Sequence, residues 1–177
     1  GESDFGERIN QLAYDYKRNL LYVAGYSTTP STAYQAGVVD PYDNFSYTSL
    51  TSAIENLTGI NFNNHCKILY HPNNDNIYFG IGRQVIKYDR SADLLKDWTG
   101  GFTVISTNIG SGSAANPIYD MHYNSSVDKI FVLTRTELYT IDSSDNIALI
   151  TTTTPSNLTD FRALAFTSNN KIVVAGS

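Results

Sequence analysis

The feature that most constrains this chain is an internal repeat. Four segments align, Leu12-Ala13-Tyr14-Asp15, Ile68-Leu69-Tyr70-His71, Met121-His122-Tyr123-Asn124 and Leu164-Ala165-Phe166-Thr167, each an apolar residue, a variable one, an aromatic and a turn-former. A polar turn follows in every case. Then comes a β-rich run: Leu21 to Ala24, Ile77 to Gly80, Ile130 to Leu133 and Ile172 to Ala175, beginning 7, 7, 7 and 6 residues after the aromatic. Two β-branched or aromatic runs joined by Asn, Asp, Ser and Lys read as a hairpin, so the chain repeats a hairpin four times. A third run ends in Asp at Val38-Val39-Asp40, Lys87-Tyr88-Asp89 and Thr140-Ile141-Asp142, and a fourth strand is predicted near residues 46–53, 102–108 and 147–153. The repeating unit is therefore four antiparallel strands. Helical periodicity is confined to one short stretch, Leu50 to Leu57.

The aromatics are spaced by 56, 53 and 43 residues, close to the roughly 40 to 50 of propeller blades. In detail, Leu20-Leu21-Tyr22-Val23-Ala24-Gly25-Tyr26-Ser27 looks like bacterial propeller repeats whose second strand reads YVAGYT or YVTN. Lys129-Ile130-Phe131-Val132 followed by Leu138-Tyr139-Thr140-Ile141-Asp142 is similar to kelch and NHL blades. No Gly-Gly doublet follows the second strand as in kelch blades, and the Trp-Asp ending of WD repeats is absent. The resemblance implies one all-β, β-propeller-like domain over residues 1–177, with about three and a half four-stranded antiparallel blades: 9–60, 64–110, 117–154 and an incomplete 161–177. The edge at Ile172 to Ala175 then lacks a partner strand, which exposes a template for further pairing. Either the chain is part of a larger propeller or another polypeptide or neighbouring subunit completes that edge by strand addition. The packing residues expected between blades are Leu12, Ile68, Met121 and Leu164 on the first strands and Val23, Phe79, Val132 and Val174 on the second.

Composition narrows the partners. Only 16% of residues are charged, the net charge is −5, and the 12 basic residues are scattered, which gives no footprint for nucleic acid or an anionic membrane. No apolar run is long enough to span a bilayer, and a chain opening on Gly1 is expected to have lost any signal peptide. The single cysteine, Cys66, forms no internal disulfide and reads as a buried thiol.

Chemical motifs mostly resolve into structure. Gly110-Ser111-Gly112-Ser113-Ala114-Ala115 fits a dinucleotide pattern, but Asn116-Pro117 and a strand follow where a helix is needed, so it reads as a linker. His65, His71 and His122 are too separated for a metal centre, and the Asp-rich turns after Asp40, Asp89 and Asp142 lack the ligand spacing of a calcium loop while suiting β-turns. No cofactor, metal or catalytic residue is expected. Sequons place candidate glycosylation sites at Asn44, Asn56, Asn124 and Asn157. Alternating connections put the second-to-third-strand loops and the blade linkers on one face, where the longer segments lie. On that face Tyr26, Tyr34, Asn61, Asn63, Arg83 and Arg135 are the candidates for contacting a peptide or glycan.

The leading functional expectation is a non-enzymatic extracellular or cell-surface module for protein or carbohydrate contact, including a structural role in a filament or appendage. A virion or phage-tail adhesion component is the first alternative. A fragment of a propeller enzyme, a lyase or glycoside hydrolase, is the second.

Overall fold

The structure is a computed structural model that describes residues 8–27, 33–60, 62, 66–90, 100–110, 117–151 and 160–177. Three four-stranded antiparallel meanders follow one another. The first is β1 (Arg8–Asp15), β2 (Leu20–Ser27), β3 (Ala33–Asp40) and β4 (Ser46–Ser49), extended by the helix α1 (Thr51–Thr58). The second is β5 (Cys66–His71), β6 (Asn76–Ile81), β7 (Gln84–Asp89) and β8 (Phe102–Ser106); the third is β9 (Ile118–Asn124), β10 (Lys129–Thr134), β11 (Leu138–Ile141) and β12 (Ile147–Thr151). A hairpin of β13 (Phe161–Phe166) and β14 (Ile172–Gly176) makes the fourth unit. β4 and β8 are shorter than the sequence suggests, and the helix starts at Thr51 inside the first of the ranges expected to be strand. Gly59 closes that helix in the left-handed region at φ 69°, with its N–H bonded to the Glu55 carbonyl.

The repeat register is that of the sequence. Tyr14, Tyr70, Tyr123 and Phe166 pair with Leu21, Ile77, Ile130 and Ile172 across the first hairpin of each unit. The turn-former after each aromatic caps its turn. Asp15 Oδ1 accepts the N–H groups of Lys17 and Arg18, Asn124 Oδ1 accepts that of Ser126, and Thr167 Oγ1 accepts that of Lys171. The residue before each second strand, Asn19, Asp75, Asp128 or Asn170, holds a φ of 51 to 60°, a region Asn and Asp tolerate best among residues with a side chain.

First strands lie side by side, β1 by β5, β5 by β9 and β9 by β13, so the sheets stack face to face. Successive side chains on a strand point to opposite faces, and here each face meets a different neighbour. Tyr22 and Ala24 of β2 pack with Ile68, Tyr70 and Phe79 of the second sheet; Tyr78 of β6 packs with Met121, Ile130 and Val132 of the third; Phe131 and Leu133 of β10 pack with Phe161 and Leu164 of the hairpin. Gly80 permits the second of these seams, since a Cβ there would lie 2.7 Å from Met121 Sδ and 3.1 Å from Ile118 Cγ2. Six of the eight expected packing residues are buried and Val174 is half-buried against the third seam. Leu12 is the correction: it is 52% exposed, as is its neighbour Tyr14 at 51%. Both occupy the positions of Ile68 and Tyr70, but no described sheet stands before the first to cover them. Val173, 48% exposed on the opposite terminal face, is the counterpart of Tyr22 and Tyr78. Its strand β14 pairs with β13 alone among the described strands.

Polar groups staple the seams at the hairpin end. Asp15, fully buried, lies 3.2 Å from Arg18 Nη1 and 3.3 Å from Nη2 of the equally buried Arg90 of the second unit, whose guanidinium sits between the rings of Tyr22 and Tyr88. Arg18 also grips Asp75 with both terminal nitrogens, at 2.9 and 2.7 Å. The next seam carries Asp145, which accepts from Tyr78 Oη at 3.0 Å and pairs with Lys87. It also carries His71, 1% exposed, its ring 4.2 Å from that of Tyr123 and its Nε2 3.8 Å from Asp128 Oδ1.

Two outcomes follow from these seams. Phe79→Ala should lower unfolding free energy by about 3–5 kcal/mol, whereas Leu12→Ala should cost less than about 1 kcal/mol because its side chain is half in water; urea denaturation of the two variants measures the contrast. Burial lowers the His71 pKa from its ordinary 6.5, against the opposing pull of Asp128 and Asp145. Protonation therefore favours the unfolded chain, and stability should decline as pH falls below about 6.5. Asp75 is held at about 2, below its ordinary 3.8, chiefly by Arg18, so its contribution is present above pH 4 and lost between roughly 4 and 2. Urea midpoints measured from pH 8 to pH 2 should lose the first decline in His71→Phe and show a shallower second one in Asp75→Asn.

Candidate functional site

Three of the expected binding-face residues, Tyr34, Arg83 and Arg135, make contacts within the fold. Arg83, in the turn between β6 and β7, donates from Nε to the Ile109 carbonyl at 3.0 Å and from Nη2 to that of Gly110, while its own carbonyl accepts the Ile109 N–H at 2.7 Å. Beside it the Gly82 carbonyl accepts the Ile118 N–H at 2.6 Å. Arg135 holds the matching turn between β10 and β11: its carbonyl accepts the Phe161 N–H at 2.7 Å and its Nε lies 3.4 Å from Asp160 Oδ2. Both arginines thus clasp the segment that leads into the next unit. Tyr34 packs, partly buried, on the core of the first seam and lies opposite Tyr26 in the β2–β3 register. Asn61 and Asn63 lie outside the described residues, as does the sequon residue Asn157. Of the other sequons, Asn44 and Asn56 are exposed. Asn124 is 6% exposed, with its Oδ1 accepting the Ser126 N–H.

The structure instead opens a cleft of about 390 Å³ along the first strands. Its walls come from β1, β5 and β9 and from the first-hairpin turns, and its aromatic lining is Tyr14, Tyr16, Tyr70 and Tyr123, with Gln11 and His122 as further polar groups. The repeat explains why tyrosines converge here. A residue recurring at one position of successive first strands is carried to one end of the inner surface, three times as tyrosine. Each hydroxyl is fixed by the residue five places on: Tyr14 donates to Asn19 Oδ1 at 2.7 Å, Tyr70 to Asp75 Oδ1 at 2.8 Å and Tyr123 to Asp128 Oδ1 at 2.8 Å. Tyr16 meets Tyr70 edge to face, ring centres 5.4 Å apart. Burial and the adjoining carboxylates raise the Tyr70 and Tyr123 hydroxyl pKa values, the latter to about 12, so both remain neutral phenols. The sequence signal was present as Tyr-x4-Asn/Asp in three repeats, yet hairpin geometry alone accounted for it.

Other reactive groups are quiet. Burial pushes the Cys66 thiol up, out of the range of a nucleophile. His122 Nε2 lies 3.4 Å from Asp120 Oδ2, an oxygen that also accepts the Leu164 N–H at 2.8 Å and so ties the third unit to the fourth. Among the described residues no three His, Cys, Asp or Glu side chains are placed to hold a metal. The Asp-rich turns bond themselves, Asp40 to the Tyr42 N–H and Asp142 to those of Ser144 and Asn146. No helix among the described residues is long and apolar enough to cross a membrane.

No protein-family model matches the sequence, and no curated protein is significantly similar to it. Solved structures do match. The extracellular domain of a putative hybrid two-component system from B. thetaiotaomicron superposes with a TM-score of 0.70 at 16% identity, over 98% of this chain and 20% of that one. The periplasmic gluconolactonase of Pseudomonas aeruginosa matches with a TM-score of 0.62 at 9% identity, over 97% of this chain and 51% of that one. The β-propeller domain of Cps50 (Swd1) from Myceliophthora thermophila matches at 0.58 and 14%, over 95% of this chain and 49% of that one. This chain therefore spans between a fifth and about half of the structures it resembles, and its sheets are β-propeller blades: three complete and one represented by its first two strands.

Proposed function

We propose that the chain is a non-catalytic, extracellular or surface-exposed propeller module whose cleft on the inner strands receives a protein or carbohydrate group by aromatic contact. The observation that carries this reading is the convergence of Tyr14, Tyr16, Tyr70 and Tyr123 on one cleft with three hydroxyls already tied down. Rings held in place lose little freedom when a ligand stacks on them, which is what preorganisation contributes to affinity. A cleft of about 390 Å³ falls within the range of small-molecule sites. The similar extracellular and periplasmic propellers support an address outside the cytoplasm.

The partner reading concerns the β14 end of the stack. The outer edge of β14 and the apolar terminal face bearing Val173 have the composition of the buried seams. We propose that further blade strands cover them, from a larger propeller or from a neighbouring polypeptide. A second functional reading, a propeller enzyme, draws on the His122–Asp120 pair beside the cleft; the commitment of Asp120 to the Leu164 N–H favours a structural role for that pair.

Screening the protein against a glycan and peptide array and titrating the hits calorimetrically tests the leading reading. Tyr16, 56% exposed, is the ring to remove: Tyr16→Ala should weaken a cleft ligand by about 3- to 10-fold, the worth of one aromatic contact, with urea stability nearly unchanged. His122→Ala should weaken binding less than Tyr16→Ala does, and turnover of a bound glycan that His122→Ala abolishes would establish the enzyme reading in its place.

A further inference from the structure

We infer that the cleft selects a cationic group, an alkylammonium or guanidinium, over neutral and anionic groups of the same shape, with the Tyr123 ring and the Asp128 carboxylate as its anchor. This rests on the reading of the cleft as a ligand site and adds the charge of what it takes. A tyrosine hydroxyl has one proton to give. Tyr14, Tyr70 and Tyr123 give theirs to Asn19, Asp75 and Asp128, so at these three positions a ligand meets only oxygen lone pairs and ring faces. Both are negative ends of dipoles or quadrupoles, which attract cations and repel carboxylates. A phenol that donates to a carboxylate is further polarised toward its ring.

The carboxylates of the first-hairpin turns, Asp15, Asp75 and Asp128, are not equivalent. Asp15 is matched by Arg18 and Arg90, and Asp75 by Arg18 with Lys17 at 3.6 Å. Asp128 has neither lysine nor arginine within 4 Å among the described residues. Its Oδ1 receives the Tyr123 hydroxyl and the Asn73 amide, each at 2.8 Å, and faces His71 Nε2 at 3.8 Å. Burial keeps that imidazole neutral near pH 7. A carboxylate 43% exposed, directly behind a cleft tyrosine and lacking a permanent counter-ion, is where a bound cation gains most. The same lining includes the apolar Leu12, Ile68 and Met121, which suit the alkyl groups such a cation carries.

The test uses choline, its neutral isostere 3,3-dimethyl-1-butanol and the anion 3,3-dimethylbutyrate, titrated into the protein at pH 7.5 and constant ionic strength while tyrosine ring resonances are followed by NMR. Choline should bind on the order of tenfold more tightly than the butanol, the effect of a partly desolvated cation over an aromatic face, and the butyrate more weakly than both. Asp128→Asn is the discriminating variant: Asn occupies the equivalent turn position in the first and fourth units at φ 55 and 60°, so the fold accommodates it. It should cut the advantage of choline over the butanol several-fold and leave the butanol unchanged. Equal affinities for choline and the butanol in the unmodified protein would overturn the charge selectivity while leaving the cleft a ligand site, and an unchanged ratio in Asp128→Asn would overturn the role of Asp128. Ring resonances that respond to none of the three probes would overturn both readings.

Discussion

Everything else in this structure depends on sheets that are apolar on both faces. In β6 the run Ile77, Tyr78, Phe79, Gly80, Ile81 is buried without a break, so alternating side chains leave neither face for water. An antiparallel sheet of that kind has no stable existence alone, because a half-exposed sheet needs one polar face. Stacking is the solution, and it assigns a different job to each face: Phe79 meets the blade before and Tyr78 the blade after. The same rule accounts for the exposed Leu12 and Val173. They are seam residues at the two ends of the described stack.

Apolar stacking fixes that blades touch but leaves them free to slide, and the polar contacts at the hairpin ends remove that freedom. The Asp15–Arg90 pair has no exposure on either side. Burying such a pair costs several kcal/mol of desolvation per ion, repaid only when the geometry is met. Its value lies in specifying one alignment of the first two blades: a shift of a few ångströms would separate the buried Arg90 from Asp15, which would keep only Arg18 of its own hairpin. Linker-end contacts act in the same sense, with the carbonyls of Arg83 and Arg135 receiving N–H groups of Ile109 and Phe161. The second blade is thereby pinned to the third at both ends, by Asp145 and Asp128 at the hairpin end and by Arg83 at the other.

Much of this was legible in the sequence, because the repeat is local. Hairpin positions, the turn-forming role of Asp15 and Asn124, and the seam positions of Ile68, Met121 and Leu164 follow from alternation and turn chemistry. What escaped depends on who the neighbour is. Leu12 has the pattern of Ile68, and no local signal records whether a sheet lies over it. Asn124 satisfies the sequon rule and also the turn-capping rule, and in the folded chain it is nearly buried with its Oδ1 capping the turn. Arg83 and Arg135 sit on the expected loops, but a long cation beside a chain crossing finds backbone carbonyls or a carboxylate before it finds solvent. The cleft was missed for the opposite reason: its tyrosines were already explained as markers of the repeat.

Those tyrosines serve two ends at once, and the coupling has a direction. The Tyr123 ring stacks on His71 within the seam between the second and third blades while lining the cleft, and its hydroxyl shares Asp128 Oδ1 with the Asn73 amide of the preceding blade. Cleft width is consequently set by seam packing and not by loop conformation. The carboxylate that makes the cleft attractive to a cation is also the one nearest His71. When acid charges that imidazole, a cation fixed 3.8 Å from Asp128 competes with any cation in the cleft, and the seam that holds Tyr123 in place is weakened by the same proton. Affinity for a cationic ligand and cohesion of the second and third blades therefore fall together with pH, through one residue that touches no ligand.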